Sequence, residues 1–327
     1  MQRFEGNNAS LEFLAGRLKA GEVVALPTET VYGLAANALN PTACRQIFEI
    51  KGRPLIDPLI VHVGSQNAAR RLAEWPEKAL LLAEHFWPGP LTLVLPKKKL
   101  VPDLVTAGRD TVALRQPAHP LALRLLTGYD LQLAAPSANP FGYVSPTTLD
   151  HVEASLGERV AWGLEGGPCQ VGVESTIVAV TKAGEVGLLR PGGVSVEALE
   201  QVLGQPVNDL RRAAPDHVKE GLAAPGMLAR HYSPSTPLAL FAGGETPAVG
   251  EGEAIVWQKR PASGPAIDGQ TFWLSEDGNP AVVARELFGM LRRLDERGFP
   301  RVWFELAEDS GLGLAINDRL GRAAAKR

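Results

Sequence analysis

Cysteine is scarce in this chain of 327 residues: only Cys44 and Cys169 occur, and nothing resembles CxxC spacing. That counts against a zinc cage and against a disulfide framework, and it fits a reducing compartment. Long apolar runs are missing too. None approaches the roughly 18–20 residues that a membrane helix needs. The opening MQRFEGNNAS lacks the apolar centre of a signal peptide. The expected location is the cytoplasm, with no membrane contact. Charge of one sign is also absent, since 33 basic and 36 acidic residues leave a net charge of −3. No bulk field therefore draws nucleic acid or an anionic membrane. Lys97-Lys98-Lys99 is the only tight cationic run.

The common nucleotide and hydrolase signatures are missing as well. There is no GxxxxGK[ST], no HExxH and no GxSxG, and Gly311-Leu312-Gly313 lacks a third glycine. No dedicated carboxylate cage for a metal is visible. A chain of this kind handles phosphates, if at all, with side-chain cations and polar strand ends.

What is present begins at Leu26–His62. Val23–Leu26 is an apolar run that suits a buried strand, and it stops at Pro27. Hydroxyls and a carboxylate crowd the following Thr28-Glu29-Thr30. Asn40-Pro41 predicts a helix start. The stripe Ala43, Ile47, Ile50 carries that helix to Lys51 and Arg53, where Gly52 and Pro54 end it. Leu59–Val63 is a second strand, with His62 on it. Two cations and a group of hydroxyls are thus expected at one rim of a sheet.

Elsewhere the reading alternates. Helices are expected over Leu11–Ala20 with Ser10 as cap, Pro76–Trp87, Pro120–Thr127, Thr147–Ser155 with a Thr147/Asp150 capping box, and Ser195–Leu203. Strands are expected over Leu91–Leu95, Thr111–Arg115, Leu131–Ala135, Val160–Leu164, Ser175–Thr181 and Val186–Arg190. From Gln205 to Pro237 periodicity lapses, which reads as a linker. Beyond it, Leu238–Phe241, Ala254–Gln258, Thr271–Leu274 and Arg301–Leu306 read as strands, with helices over Asn279–Arg297 and Leu312–Ala325. The fold class is α/β. Residues 1–204 form a mixed twisted sheet with an open ligand cleft, 205–237 a linker or lid, and 238–327 a small Rossmann-like domain.

Several runs carry a resemblance: PTETVYGL, KGRP with PLIVH behind it, FWPGPLTLVL, VALRQPAHP, APSANPFGYVSPTT, GVESTIV and LLRPGG. Together they are similar to the YrdC-type threonylcarbamoyl-AMP synthases. RHYSPSTPL and GLGLAINDRL resemble the long, two-domain members. Leu164-Glu165 stands where Asp often precedes Gly-Gly, and Asp57 where Asn is common.

The resemblance implies condensation of L-threonine, bicarbonate and ATP to threonylcarbamoyl-AMP, releasing pyrophosphate. A downstream transferase then modifies tRNA, and direct tRNA contact by this chain stays open. Lys51 and Arg53 would be the catalytic cations. Asp57, Thr111, Ser137, Asn139, Ser145, Arg190 and Tyr232 would join them around ATP. Thr30, His62, Arg115, Ala135 and Ser175 would hold threonine, with Arg115 on its carboxylate. Mg2+ is expected to arrive with ATP, held by phosphates and water. Tyr232 would fold back as part of a lid. Two other readings remain: a non-catalytic RNA-binding protein of the same fold, and a carbamoyl-transfer module. Near-neutral charge opposes the first, and the lack of zinc-finger-like cysteines opposes the second.

Overall fold

A computed structural model describes residues 1–211, 232–262 and 269–325. The expected linker therefore lies largely outside the described residues, along with Arg230 and His231 of the RHYSP run.

The first sheet has 11 strands. In chain order they are β1 (Gln2–Phe4), β2 (Val24–Leu26), β3 (Gly33–Asn37), β4 (Ile60–Val63), β5 (Leu91–Pro96), β6 (Thr111–Arg115), β7 (Gln132–Ala134), β8 (Trp162–Leu164), β9 (Thr176–Val180), β10 (Val186–Arg190) and β11 (Asn208–Asp209). Their spatial order is β1-β8-β2-β3-β7-β4-β6-β5-β9-β10-β11. Parallel pairs such as β4 with β6 stand beside antiparallel ones such as β5 with β6, so the sheet is mixed. β3 has no counterpart in the sequence reading. Its GLAAN is small and buried almost throughout, so no period of two marks it. β11 extends the sheet into the expected linker.

Residues two apart share one face of a strand. Val61 and Val63, Val112 and Leu114, and Leu91, Leu93 and Leu95 all enter one large core. Ile60, His62, Ala113 and Arg115 alternate with them and so face the other way. That second face has a small apolar floor of Ile60, Val94, Ala113, Ile177 and Leu189. The functional side chains thus stand on a face of the sheet and not only on its rim.

The helix Pro41–Lys51 forms as its punctuation predicts. Asn40 accepts from the Ala43 N–H, and Gly52 ends the helix at φ 63°. Two predicted caps move by a few residues. The helix Asn8–Lys19 is capped by Asn7, whose side chain accepts from the Ser10 N–H, and not by Ser10. The helix Leu149–Leu156 is capped by Thr148, which accepts from the His151 N–H, so the Thr147/Asp150 box is one residue out of place.

The second sheet comprises β12 (Leu238–Phe241), β13 (Ala254–Lys259), β14 (Thr271–Ser275) and β15 (Val302–Glu305). Its order is β12-β15-β13-β14, and every pairing is parallel. The helices Pro280–Arg297 and Leu312–Ala324 cover it. Their apolar face meets the first part of the chain. Val31, Val144 and Val173 pack into the same core as Val283, Phe288 and Leu291. Each fully buried valine contributes about 1.5–3 kcal/mol, so separating the two parts is costly. The approach is close at Gly172, which sits at φ +75°; a Cβ there would lie 2.3 Å from Arg285 Cα. No helix among the described residues is long and apolar enough to cross a membrane.

Candidate active site

A narrow cleft opens on the second face of the large sheet. Its walls come from the Thr28–Gly33 turn, β4, β6, the turn after β7, the junction of β9 with β10, and Tyr232.

The turn is built by its own hydroxyls. Thr28 Oγ1 accepts from the N–H groups of Thr30 and Val31, at 3.2 Å each, and donates to the Val31 carbonyl at 2.6 Å. Thr30 Oγ1 stands 2.9 Å from Thr28 Oγ1 and accepts from Arg115 Nη1 at 2.9 Å. Arg115 also donates Nε to the Gly89 carbonyl (3.3 Å), and its Nη2 lies 2.6 Å from Glu29 Oε1. Nε and Nη1 are hydrogen-bonded in this way, while the buried Nη2, paired in charge with Glu29, has no hydrogen-bond partner among the described residues. His62 lies in register with Arg115 across β4 and β6. Burial, with Arg115 adding to it, lowers the imidazole pKa to about 3. His62 is therefore neutral at physiological pH, and its buried Nδ1 has no hydrogen-bond partner among the described residues. Ala135 closes this side.

Arg53 and Arg190 also line the cleft, with Ser137, Ser175 and Glu174. Arg53 is held by its own loop. It donates Nε to the Asp57 carbonyl (3.1 Å) and Nη2 to the Pro58 carbonyl (2.7 Å), and it pairs with Asp57 Oδ1 at 2.9 Å. Arg190 donates Nη2 to the Ser175 carbonyl at 2.9 Å and to its hydroxyl at 3.2 Å. The turn after Arg190 packs tightly, and a Cβ on Gly192 would lie 2.3 Å from the Ser175 carbonyl carbon. Burial depresses the pKa of both arginines and raises that of the Tyr232 phenol. Tyr232 is buried at φ 61°, stacked at a tilt on Phe288 with centroids 5.5 Å apart.

Other expected residues lie beside the cleft and not on its lining. Lys51 is buried, and its ammonium donates to the carbonyls of Ser137 and Asn139. It acts as a bolt for that turn, where the sequence suggested a cation facing a phosphate. Burial, with Arg53 next, pulls its pKa well down. Asp57 sits behind Arg53 as its counter-ion. The Asn139 amide folds back onto the carbonyls of Pro140 (2.8 Å) and Tyr143 (2.9 Å), and its buried Oδ1 has no partner among the described residues. Ser145 Oγ donates to Glu174 Oε1 at 2.6 Å. Thr111 begins β6 and Arg115 ends it. Four residues apart, they share the second face about 13 Å from each other. The sequence reading did not require them to share it.

Two family models match the chain. One, described as "Telomere recombination", covers residues 17–192. The other, "Threonylcarbamoyl-AMP synthase, C-terminal domain", covers residues 194–325. The chain belongs to the Sua5-type threonylcarbamoyl-AMP synthase family. It is 40% identical to the threonylcarbamoyl-AMP synthase of Pyrococcus abyssi, over 97% of this chain and 94% of the relative. It is also 40% identical to that of Bacillus subtilis, over 98% and 94%. The solved structure of P. abyssi Sua5 complexed with L-threonine superposes with a TM-score of 0.89 at 37% identity, covering 99% of this chain and 98% of that one.

Sequence reasoning missed several residues of this Sua5-type site. Glu29 and Glu174 stood out only as carboxylates at strand ends, and nothing in the pattern announced that each would face an arginine. Arg292 and Arg319 lie on helices of the second sheet, more than a hundred residues from the groups they touch. Among the described residues no group of three or more His, Cys, Asp or Glu could hold a metal ion. The cleft carboxylate Glu174 already accepts from Ser145 and Arg319.

Proposed function

We propose that this chain makes L-threonylcarbamoyl-AMP and pyrophosphate from L-threonine, bicarbonate and ATP. One observation carries the reading: a single cleft is lined by Arg115 and by two further arginines, Arg53 and Arg190. That is one cation for an amino-acid carboxylate and two for a polyphosphate. Family membership over the whole chain supports it.

Threonine docks its carboxylate on Arg115, with Thr30, His62, Ala135 and Ser175 around its body. A neutral His62 with an open Nδ1 can exchange a hydrogen bond with the substrate. With a pKa near 3 it cannot hold a proton as a general base at neutral pH. The threonine ammonium gives up a proton to solvent, the free amine bonds to the bicarbonate carbon, and water leaves. A carbamate oxygen then attacks the α-phosphorus, the bond to the β-phosphate oxygen breaks, and pyrophosphate departs with the charge. Arg53 and Arg190 hold that charge in place. Setting the carbamate against the phosphorus supplies several kcal/mol, with about 7–11 as the ideal range.

The apolar floor of Ile60, Val94, Ala113 and Ile177 lies on the same face as Arg115 and Thr111 and suits the nucleoside. Ser137 touches the phosphates, while Lys51, Asp57, Asn139 and Ser145 hold the walls that do. ATP brings a divalent cation, Mg2+, bound by its phosphates and water, because the nearby carboxylates are already paired. Residues 1–204 form the catalytic domain, 205–237 a linker or lid that contains Tyr232, and 238–327 a docking domain. The product passes in the cytoplasm to a transferase that modifies tRNA.

The test is pyrophosphate release from ATP in bicarbonate buffer. Release should require threonine and fall sharply in Arg53→Ala. Absence of release in the wild type, with salt-sensitive RNA binding instead, would favour a non-catalytic RNA-binding protein.

A further inference from the structure

Glu174 is out of place on charge grounds. It is a carboxylate lining a cleft whose other charged side chains are the arginines Arg53, Arg115 and Arg190. An unneutralised negative charge there would oppose a triphosphate. Its two oxygens are satisfied from different parts of the molecule. Ser145 donates to Oε1 at 2.6 Å, and Arg319 donates Nε to Oε2 at 2.7 Å.

Arg319 belongs to the helix Leu312–Ala324 of the second sheet and has no exposed surface. It does more than pair with Glu174. Nη2 donates to the Pro191 carbonyl at 3.0 Å, on the turn that follows Arg190. Its guanidinium carbon lies 5.2 Å from the centre of the Tyr232 ring. Asp318 takes Nη1 and is itself paired with Arg322 at 3.0 Å. A second arm reaches the same wall. Arg292, on the helix Pro280–Arg297, donates Nε to the Ser145 carbonyl at 3.3 Å and Nη2 to that of Val144. The second sheet thus holds Ser145 by its carbonyl and, through Glu174, by its hydroxyl.

We infer that Arg319 is a positioning residue for the nucleotide: it neutralises Glu174, and so makes the cleft's capacity for a triphosphate depend on the docked second domain. This rests on ATP being the substrate. The dependence is selective, because threonine is a zwitterion and sits on the Arg115 side. Removing one member of a buried pair strands the charge of the other. Removing both leaves no stranded charge in the cleft, and Asp318 keeps Arg322 as its partner.

The experiment measures binding without turnover, using a non-hydrolysable ATP analogue and L-threonine in separate titrations of the full chain. Arg319→Met should weaken the analogue about tenfold or more while leaving threonine within about twofold. Arg319→Lys, which keeps the charge, should fall between Arg319→Met and the wild type. The double variant Arg319→Met/Glu174→Gln should regain most of the lost nucleotide affinity. A purely structural role for Arg319 predicts the opposite, since the double variant leaves the same hole. Equal nucleotide affinity in Arg319→Met and the wild type overturns the inference. Failure of the double variant to regain nucleotide binding, folded or not, also overturns it. A wild-type chain that binds no nucleotide removes the proposed reaction itself, which is a different failure.

Discussion

In the 11-stranded part of the chain, the buried charged side chains stand on strands and their connecting loops, apart from Lys51 at the end of a helix. Arg53 pairs with Asp57 and Arg115 with Glu29, each within that part. In the four-stranded part, the buried arginines Arg292 and Arg319 stand on helices, and both reach out of their own sheet into the other. The Arg115 side of the cleft is therefore assembled by the first part alone. The wall of Ser145 and Glu174 is finished by the second. A domain that looks like an independent Rossmann-like module works here as one wall of a site.

The contrast breaks most severely at Arg115. Arg115→Ala removes the carboxylate partner and strands Glu29. Turnover should fall about a thousandfold, and stability by about 3–5 kcal/mol in denaturant unfolding. Adding Glu29→Gln should restore stability but not turnover, and recovery of both would mean that Arg115 holds the fold and not the substrate. Next comes deletion of Gln205–Arg327. It uncovers Val31, Val144 and Val173 and leaves Glu174 without Arg319. Synthesis should drop about a hundredfold, with nucleotide binding hurt more than threonine binding. Full activity in the truncated chain would remove both the docked wall and the lid. Gly172→Ala is a gentler wedge between the same two surfaces. Its left-handed backbone and the 2.3 Å approach to Arg285 predict a loss of about 2–3 kcal/mol. Calorimetry should show a lower melting temperature, again with nucleotide affinity reduced more than threonine affinity.

The smallest effect near neutrality comes from pH. Burial lowers His62 to about 3 and His151 to about 4, against an unfolded value near 6.5. Below that value the unfolded chain takes up protons that the folded chain refuses. Stability is therefore full above about pH 6.5 and lost as pH falls toward 4 and then 3. Each histidine contributes a slope of up to about 1.4 kcal/mol per pH unit. His151→Gln, which lies off the cleft, should flatten the curve measured by urea unfolding. An unchanged slope would place the sensitivity elsewhere.

Much of this was readable in advance where local chemistry sets local structure. Asn40, Pro41 and Gly52 punctuate a helix in any context, and the helix formed as they indicate. Apolar runs located most strands. The 205–237 gap separated a mixed sheet from a parallel one, although β11 extends the first sheet across its near edge. What stayed hidden depends on long-range approach. GLAAN carries no alternation because both of its faces are buried. That Lys51 ties down a distant turn could not be seen from its neighbours Gly52 and Arg53. The turn that captures it, Ser137–Asn139, lies some ninety residues away along the chain. The roles of Glu174 and Arg319 are defined only by each other, across 145 residues. Family motifs named the cleft, but they could not show which of its residues face the ligand and which hold the wall.

The most direct measurement follows the carbon. Wild-type protein is incubated with ATP, L-threonine and 13C-bicarbonate, and the nucleotide products are weighed by mass spectrometry. The account predicts threonylcarbamoyl-AMP carrying the heavy carbon, formed together with pyrophosphate and absent when threonine is omitted. AMP or ADP as the sole nucleotide products, with no threonine and no heavy carbon attached, would contradict it.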